Sequence, residues 1–400
     1  MPPPAERPPR LVAVAPGEPF APDTWSGSSM YLLRALERAG ALAGAVSGGS
    51  RALDLLEQAA SFSPDRRRWS LRYHSRSSPA GPLARRGRSA LGARRLRSLD
   101  ADADGVLQIG AWYDVEGGGV RCSYHDGNLA VSLSRPEPGL DRQDRGVRRA
   151  LEAERDLYDR LQLIFTMSDW LRRSFVDDFD QASEKVITVG AGANLESVPE
   201  APERTFAAPR VLFVGKRWER KGGPQLLEAF RRLRQERADA ELWIVGPEEP
   251  PAQEAGIRFH GRISRSSPEG ERRLAELYRD ATVFAMPSVY EPFGVAFLEA
   301  MAYRLPCIGS DRCAMPEIVE DGVTGNTVDA FDTEALARRL LELAEPDRAR
   351  AFGETGHRRF LERFTWDGVA ARMVAAVAVS RDAGGARSRP AGARQPRARG

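Results

Sequence analysis

Residues 283–306 read VFAMPSVYEPFGVAFLEAMAYRLP, and three short patterns within them decide the architecture. Val283, Phe284 and Ala285 form an apolar run that Pro287 and Ser288 end. Pro292, Phe293 and Gly294 make a turn, after which Val295, Phe297, Leu298 and Met301 recur at helical spacing. The stretch therefore predicts a buried strand, a tight loop and a helix start, the repeating unit of open α/β sheets. Glu291 stands in the loop, and Glu299 lies about two turns into the helix. At the helix start the backbone N–H groups of Phe293, Gly294 and Val295 lack intrahelical acceptors and attract an anion such as phosphate.

The same alternation runs outward in both directions. Towards the N-terminus, Leu11–Ala15 (LVAVA) leads through the loop TWSGSS into a helix over 30–39, a Rossmann-type opening. Further strands are expected at 41–46, 106–111 (VLQIGA), 163–167 and 185–189, with helices between them. The Pro- and Ala-rich residues 199–210 read as a linker. Beyond it the pattern restarts with a strand at 211–214, a helix at 224–235, the strand Glu241–Val245, a strand near Phe259 and a helix at 271–280. After the opening segment come a strand from Ile308 and a helix at 333–343. The strands are rich in Val, Ile and Leu, as parallel strands covered on both faces should be. The expected plan is a flexible leader at 1–9, an N-terminal Rossmann-like domain at 10–198, the linker, a C-terminal Rossmann-like domain at 211–356, a last helix at 357–380 and a disordered tail at 381–400.

The chemistry gathers at the C-terminal ends of strands. FVGKRWERKGG, residues 213–223, leaves a strand and enters a helix, so Lys216, Arg217 and Lys221 stand where open α/β sheets bind their ligands. Glu-Pro-Phe-Gly, then Leu-Glu-Ala-Met-Ala, then Pro-Cys-Ile-Gly-Ser resembles the retaining glycosyltransferases of the two-Rossmann (GT-B) fold. These are the group one glycosyl transferases with a Glu-x7-Glu motif, which include glycogen synthases and bacterial mannosyltransferases.

The resemblance implies two Rossmann-like domains facing each other across a cleft, with the final helix crossing back onto the first. It also implies transfer of a hexose from a nucleoside diphosphate sugar to an acceptor hydroxyl, with retention of configuration, no metal and no cofactor. Lys216 or Arg217, with Lys221, resembles the basic pair that clamps the donor diphosphate. The family usually has Arg directly after the glycine, where this chain has Lys216. Phe293, Gly294 and Val295 would cradle phosphate, and Glu299 resembles the carboxylate that accepts hydrogen bonds from the ribose hydroxyls. Glu291 resembles the carboxylate facing the transferred sugar and is the first catalytic candidate. In the N-terminal domain, Gly27 would let backbone approach the phosphates, although the family commonly has two glycines in that loop. His125 and Asp126, read in a loop after VLQIGA, are acceptor-side catalytic candidates. Ser168–Trp170 and Gly192–Asn194 also resemble family positions.

The totals agree with this reading. Four hundred residues, 42% hydrophobic, suffice for two cores, and a net charge of +3 gives no reason to expect nucleic acid. Three cysteines are too few for a disulfide framework or a four-ligand zinc site, and no apolar stretch reaches membrane-spanning length, so a cytoplasmic protein is expected. The Arg-rich segment 65–97, with Trp69 and Tyr73, reads either as a face for an anionic acceptor, an anionic membrane such as the inner membrane surface, or nucleic acid, or as a solvated helix. Asp100 to Asp104 (DADAD) matches an Asp-x-Asp metal pattern but reads as an ordinary loop before a strand. Two rivals remain: a non-catalytic scaffold or anion-binding protein on the same fold, and a sugar-nucleotide epimerase.

Overall fold

The computed structural model describes residues 7–62, 64, 82–99, 101–134, 141–201 and 204–387. The first half runs β1 (Leu11–Ala15), α1 (Ser28–Arg38), β2 (Leu42–Ser47), α2 (Arg51–Ser61), α3 (Pro82–Ser98), β3 (Gly105–Ile109) and β4 (Val120–His125). It continues with α4 (Leu129–Ser132), α5 (Arg145–Asp159), β5 (Leu163–Thr166), α6 (Asp169–Asp177) and β6 (Val186–Thr188). Its six strands pair in parallel in the order β2-β1-β3-β4-β5-β6.

The second half runs β7 (Arg210–Val214), α7 (Gly223–Glu236), β8 (Glu241–Val245), β9 (Ile257–Gly261), α8 (Pro268–Asp280), β10 (Val283–Ala285) and α9 (Val295–Ala302). Then come β11 (Cys307–Ser310), α10 (Met315–Ile318), β12 (Gly325–Val328), α11 (Thr333–Ala344), α12 (Pro346–Arg363) and α13 (Trp366–Arg387). Its sheet is also parallel, in the order β12-β11-β10-β7-β8-β9. The chain winds one way from β7 to β9 and the other way from β10 to β12. The crevice at such a reversal, outside the strand ends, is where ligands bind. Here it opens between the turn after β7 and the loop after β10.

Three readings change. Residues 120–125 are not loop but the strand β4, whose side chains at Cys122, Ser123, Tyr124 and His125 are all buried. A polar-looking sequence becomes a central strand because Ser123 and His125 satisfy each other, Ser123 Oγ to His125 Nε2 at 2.7 Å. The helix expected at 357–380 is two helices, α12 and α13, broken where Thr365 Oγ1 accepts the N–H of Gly368 at 3.2 Å. α13 continues to Arg387, so residues 381–387 of the expected tail are helical, and 388–400 lie outside the described residues.

α13 returns to the first domain. Arg38 of α1 donates to Asp367, and Arg372 Nε donates to the carbonyl of Val189 at 2.9 Å. Of the leader, residues 1–6 lie outside the described residues, while Arg7 pairs with Asp102 at 3.0 Å and the N–H of Arg10 donates to Asp104 at 2.8 Å. Asp102 and Asp104 of the DADAD run therefore hold the entry to β1, and Asp100 lies outside the described residues. Of the Arg-rich segment, residues 65–81 lie outside the described residues. In α3, Arg85 donates to the Ala153 carbonyl, Arg88 pairs with Asp54, and Arg95 donates to the carbonyls of Ser47 and Gly49. Arg86, Arg94 and Arg97 are exposed. No helix among the described residues is long and apolar enough to cross a membrane.

One buried carboxyl in the first domain gives a stability prediction. Glu154 of α5 accepts from the Leu129 N–H at 3.0 Å and the Tyr158 hydroxyl at 3.1 Å, and burial pushes its pKa up to about 7. The native state therefore holds a proton between the ordinary carboxylate pKa and about 7 that the unfolded chain has released. Stability should fall as pH rises through that window. A Glu154→Gln variant should lack this slope and gain up to about 3 kcal/mol over the parent at pH 8, measured by denaturant titration at several pH values. Parallel stability profiles for the two proteins would contradict it.

Candidate active site

Two glycines seat the cationic turn. Gly222 precedes α7 with φ +74°, and a Cβ there would stand 1.9 Å from the carbonyl oxygen of Pro287. Only glycine lets the turn after β7 lie this close to the loop after β10. Lys221 is thereby carried to Glu291, with Nζ 2.9 Å from Oε2, and Arg220 stands 3.6 Å from the same oxygen. Arg220 also donates to the carbonyl of Tyr290 at 2.6 Å, and its own carbonyl accepts the N–H of Val289 at 2.9 Å. The second glycine, Gly294, precedes α9 with φ +84°, and a Cβ there would meet Met315, Phe297 and the Glu291 side chain.

Helix starts differ in who caps them. Ser50, Asn128, Asp144, Ser168, Ser267 and Asp332 accept backbone N–H groups at the starts of α2, α4, α5, α6, α8 and α11. α1, α7 and α9 instead begin at Gly27, Gly222 and Gly294, each left-handed and none supplying a side-chain cap. The start of α9 borders the cleft through Phe293, Gly294, Val295 and Ala296. Its first N–H groups and the positive end of its dipole are available to an anion.

These parts share one cavity of about 470 Å³ between the two domains, a volume suited to a small-molecule ligand. Lys216, Arg217, Lys221, Glu291, Phe293, Gly294, Val295 and Glu299 all line it, and Asp126, Ser26 and Ser28 do so from the N-terminal side. Glu299 is 3% exposed and accepts the Tyr278 hydroxyl at 2.9 Å and the guanidinium of Arg265. Burial pushes its pKa up, and Arg265 is the first influence opposing that rise. The domains also meet beyond the cavity: Glu317 of α10 accepts the N–H groups of Asp169 and Trp170 at 2.7 and 2.6 Å, at the start of α6.

One candidate is corrected. His125 does not line the cleft. It is 2% exposed at the end of β4, packed against Tyr158 and Phe175, and burial pushes its pKa down to about 3. Its ring is held by Ser123 in the core of the first domain rather than in the cavity wall. Gly27 closes a run of three left-handed residues, Trp25 (φ +49°), Ser26 (φ +57°) and Gly27 (φ +91°), that turns the chain into α1 between two serines that line the cavity.

Sequence reasoning passed over Arg220 and Arg265. Arg220 lay inside the cationic run, where Lys216, Arg217 and Lys221 drew the attention. Arg265 had one legible signal, its place in the loop after β9, at a strand's C-terminal end.

Residues 208–346 match the family model described as Glycosyl transferases group 1. The chain is 36% identical over 179 residues to alpha-maltose-1-phosphate synthase of Mycolicibacterium smegmatis, covering 40% of this chain and 46% of that protein. It thus spans about half the length of the curated relatives it matches. In structure it is similar to sucrose-phosphate synthase from Thermosynechococcus elongatus, with TM-score 0.66 and 19% identity over 94% of this chain and all of that one. It is also similar to Alr3699/HepE of Anabaena, solved in complex with UDP and glucose, with TM-score 0.60 and 14% identity over 92% of this chain and 99% of that one. The fold is the two-Rossmann GT-B fold, and the second of its domains carries the match to the group 1 glycosyl transferases.

Proposed function

We propose that the cleft binds a nucleoside diphosphate sugar and transfers its hexose, with retention of configuration, to an acceptor hydroxyl held by the N-terminal domain. The observation that carries this reading is the Lys221–Glu291 pair beside the uncapped start of α9, in the same cavity as Glu299. The diphosphate takes the α9 N–H groups and the cations Lys221, Lys216 and Arg217. Glu299 accepts the ribose hydroxyls. Glu291 faces the sugar and supports positive charge as the anomeric carbon becomes oxocarbenium-like.

In the transfer step the bond from the anomeric carbon to the diphosphate oxygen breaks, and the acceptor oxygen bonds to that carbon on the same face. The acceptor proton passes to the departing phosphate oxygen, so the leaving group is its own base. Cations and a helix start supply the charge that stabilises the leaving diphosphate, so the reaction is proposed to need no metal. Asp126, which lines the cavity from the N-terminal side, orients the acceptor hydroxyl in this reading. The exposed Arg86, Arg94 and Arg97 of α3 suit an anionic acceptor or the inner membrane surface, in a cytoplasmic setting.

A panel of nucleotide sugars tests the reading by thermal shift, because a ligand that binds only the folded state raises apparent stability. One donor is expected to raise the transition temperature and then to release nucleoside diphosphate when an acceptor is supplied. A panel in which no nucleotide sugar shifts the transition would remove the proposal.

A further inference from the structure

Arg265 links three parts of the molecule. It stands in the loop between β9 and α8 and lines the cleft. One nitrogen, Nη2, donates to Oε2 of Glu299 on α9, while Nη1 donates to the carbonyl of Asn194 at 3.1 Å. Asn194 lies past the last strand of the first sheet and is itself a junction. Its Nδ2 donates to the carbonyl of Ser26 at 2.9 Å, and its Oδ1 accepts Nε1 of Trp366, at the start of α13, at 3.2 Å. One guanidinium therefore connects the buried carboxylate of the donor half to the cleft-side loop before α1 and to the returning helix.

We infer that Arg265 is a positioning residue of the nucleotide site, holding the Glu299 carboxylate in the cleft wall and tying it through Asn194 to the N-terminal half. The inference rests on the reading of the cleft as a nucleotide site. Its physical basis is what Glu299 would be without this partner. A planar guanidinium with one nitrogen on the carboxylate and another on a carbonyl fixes both partners, which a single ammonium cannot do as rigidly. Burial opposes the charged form of Glu299, and the groups that offset it are Arg265 first, then the Tyr278 hydroxyl from α8, then the charge of Lys221. Tyr31 of α1 and Tyr303 after α9 feel the Glu299 charge, Glu271 of α8 acts on Arg265 and Tyr31, and Glu196 acts on Tyr31. Taking Arg265 away leaves a buried carboxylate with one hydroxyl and one ammonium to hold its charge. It then keeps its proton to higher pH, and a protonated carboxyl is a poorer acceptor for two ribose hydroxyls.

The test is calorimetric binding of UDP and GDP to the full chain between pH 7 and 9, for the parent, Arg265→Met, Arg265→Lys and Glu299→Gln. The parent should bind one of the two nucleotides with affinity nearly constant across that range. Arg265→Met should lose tenfold or more at pH 7 and recover part of the loss by pH 9, as Glu299 ionises unaided. Arg265→Lys should restore the flat profile with a smaller loss, and Glu299→Gln should bind weakly at every pH. Thermal unfolding of each variant establishes that it is folded.

Arg265→Met binding as well as the parent would overturn the inference. So would an equal loss at every pH that lysine fails to rescue, which is the signature of a purely structural arginine. A parent protein that binds neither nucleotide overturns the nucleotide reading itself, and the role of Arg265 falls with it.

Discussion

A Glu291→Gln variant is expected to bind donor at least as well as the parent protein and to transfer sugar about a thousandfold more slowly. The two halves of this expectation come from one contact. In the cleft Glu291 Oε2 lies 2.9 Å from Lys221 Nζ and 3.6 Å from Arg220. A neutral amide of the same shape releases part of the Lys221 charge to the diphosphate, so binding is kept or tightened. The same amide cannot support positive charge at the anomeric carbon, and that charge develops only in the transition state. An interaction present only there is lost from kcat rather than from binding. Steady-state kinetics with donor affinity measured separately decides it. Unchanged turnover in the variant would remove Glu291 from the chemistry.

Lys221→Ala should act the other way round. A charge-assisted contact to phosphate contributes about 1.5 to 3 kcal/mol, which corresponds to roughly a ten- to hundredfold rise in donor dissociation constant. The loss should sit at the high end, because removing the ammonium also takes the nearer of two cations away from the Glu291 carboxylate, which then repels an incoming diphosphate more strongly. Turnover should fall too, since the departing diphosphate gains charge as the bond breaks. A double variant with Glu291→Gln should recover much of the lost affinity, because the repelling carboxylate is then gone. Donor affinity unchanged in Lys221→Ala would mean that the turn after β7 does not hold the phosphates.

The sequence carried the second domain further than the first. β10, the loop and α9 were legible because proline and glycine punctuate them and the apolar spacing switches cleanly from strand to helix. Lys221 and Glu291 follow the C-terminal ends of the neighbouring parallel strands β7 and β10, Glu299 lies in α9, and the fold brings all three to one cavity. β4 was misread because burial of a central strand does not require an apolar sequence. Ser123 and His125 are polar residues whose needs are met by each other, and no pattern in VRCSYH announces that. Taking the strand for a loop made His125 look accessible and turned a core residue into a catalytic candidate.

The arginines were illegible for a different reason. The chain has 59 Lys and Arg, and which of them serves a carbonyl, a surface ion pair or the cleft depends on tertiary neighbours. Arg85 and Arg95 end on backbone oxygens, whereas Arg265 ends on a buried glutamate and a backbone carbonyl across the domain junction. In sequence all three look alike. The break between α12 and α13 was equally local, depending on a threonine cap that two adjoining helical patterns conceal.

The claim on which the account turns is that a diphosphate lies between the cationic turn and the start of α9. A crystal structure of the full chain with the nucleoside diphosphate of its best donor tests this most directly. The account predicts phosphate oxygens on the N–H groups at Gly294 to Ala296 and on Lys221 Nζ, with the ribose hydroxyls at Glu299. A nucleotide bound elsewhere, with the Lys221–Glu291 pair intact and no phosphate at the start of α9, would contradict it.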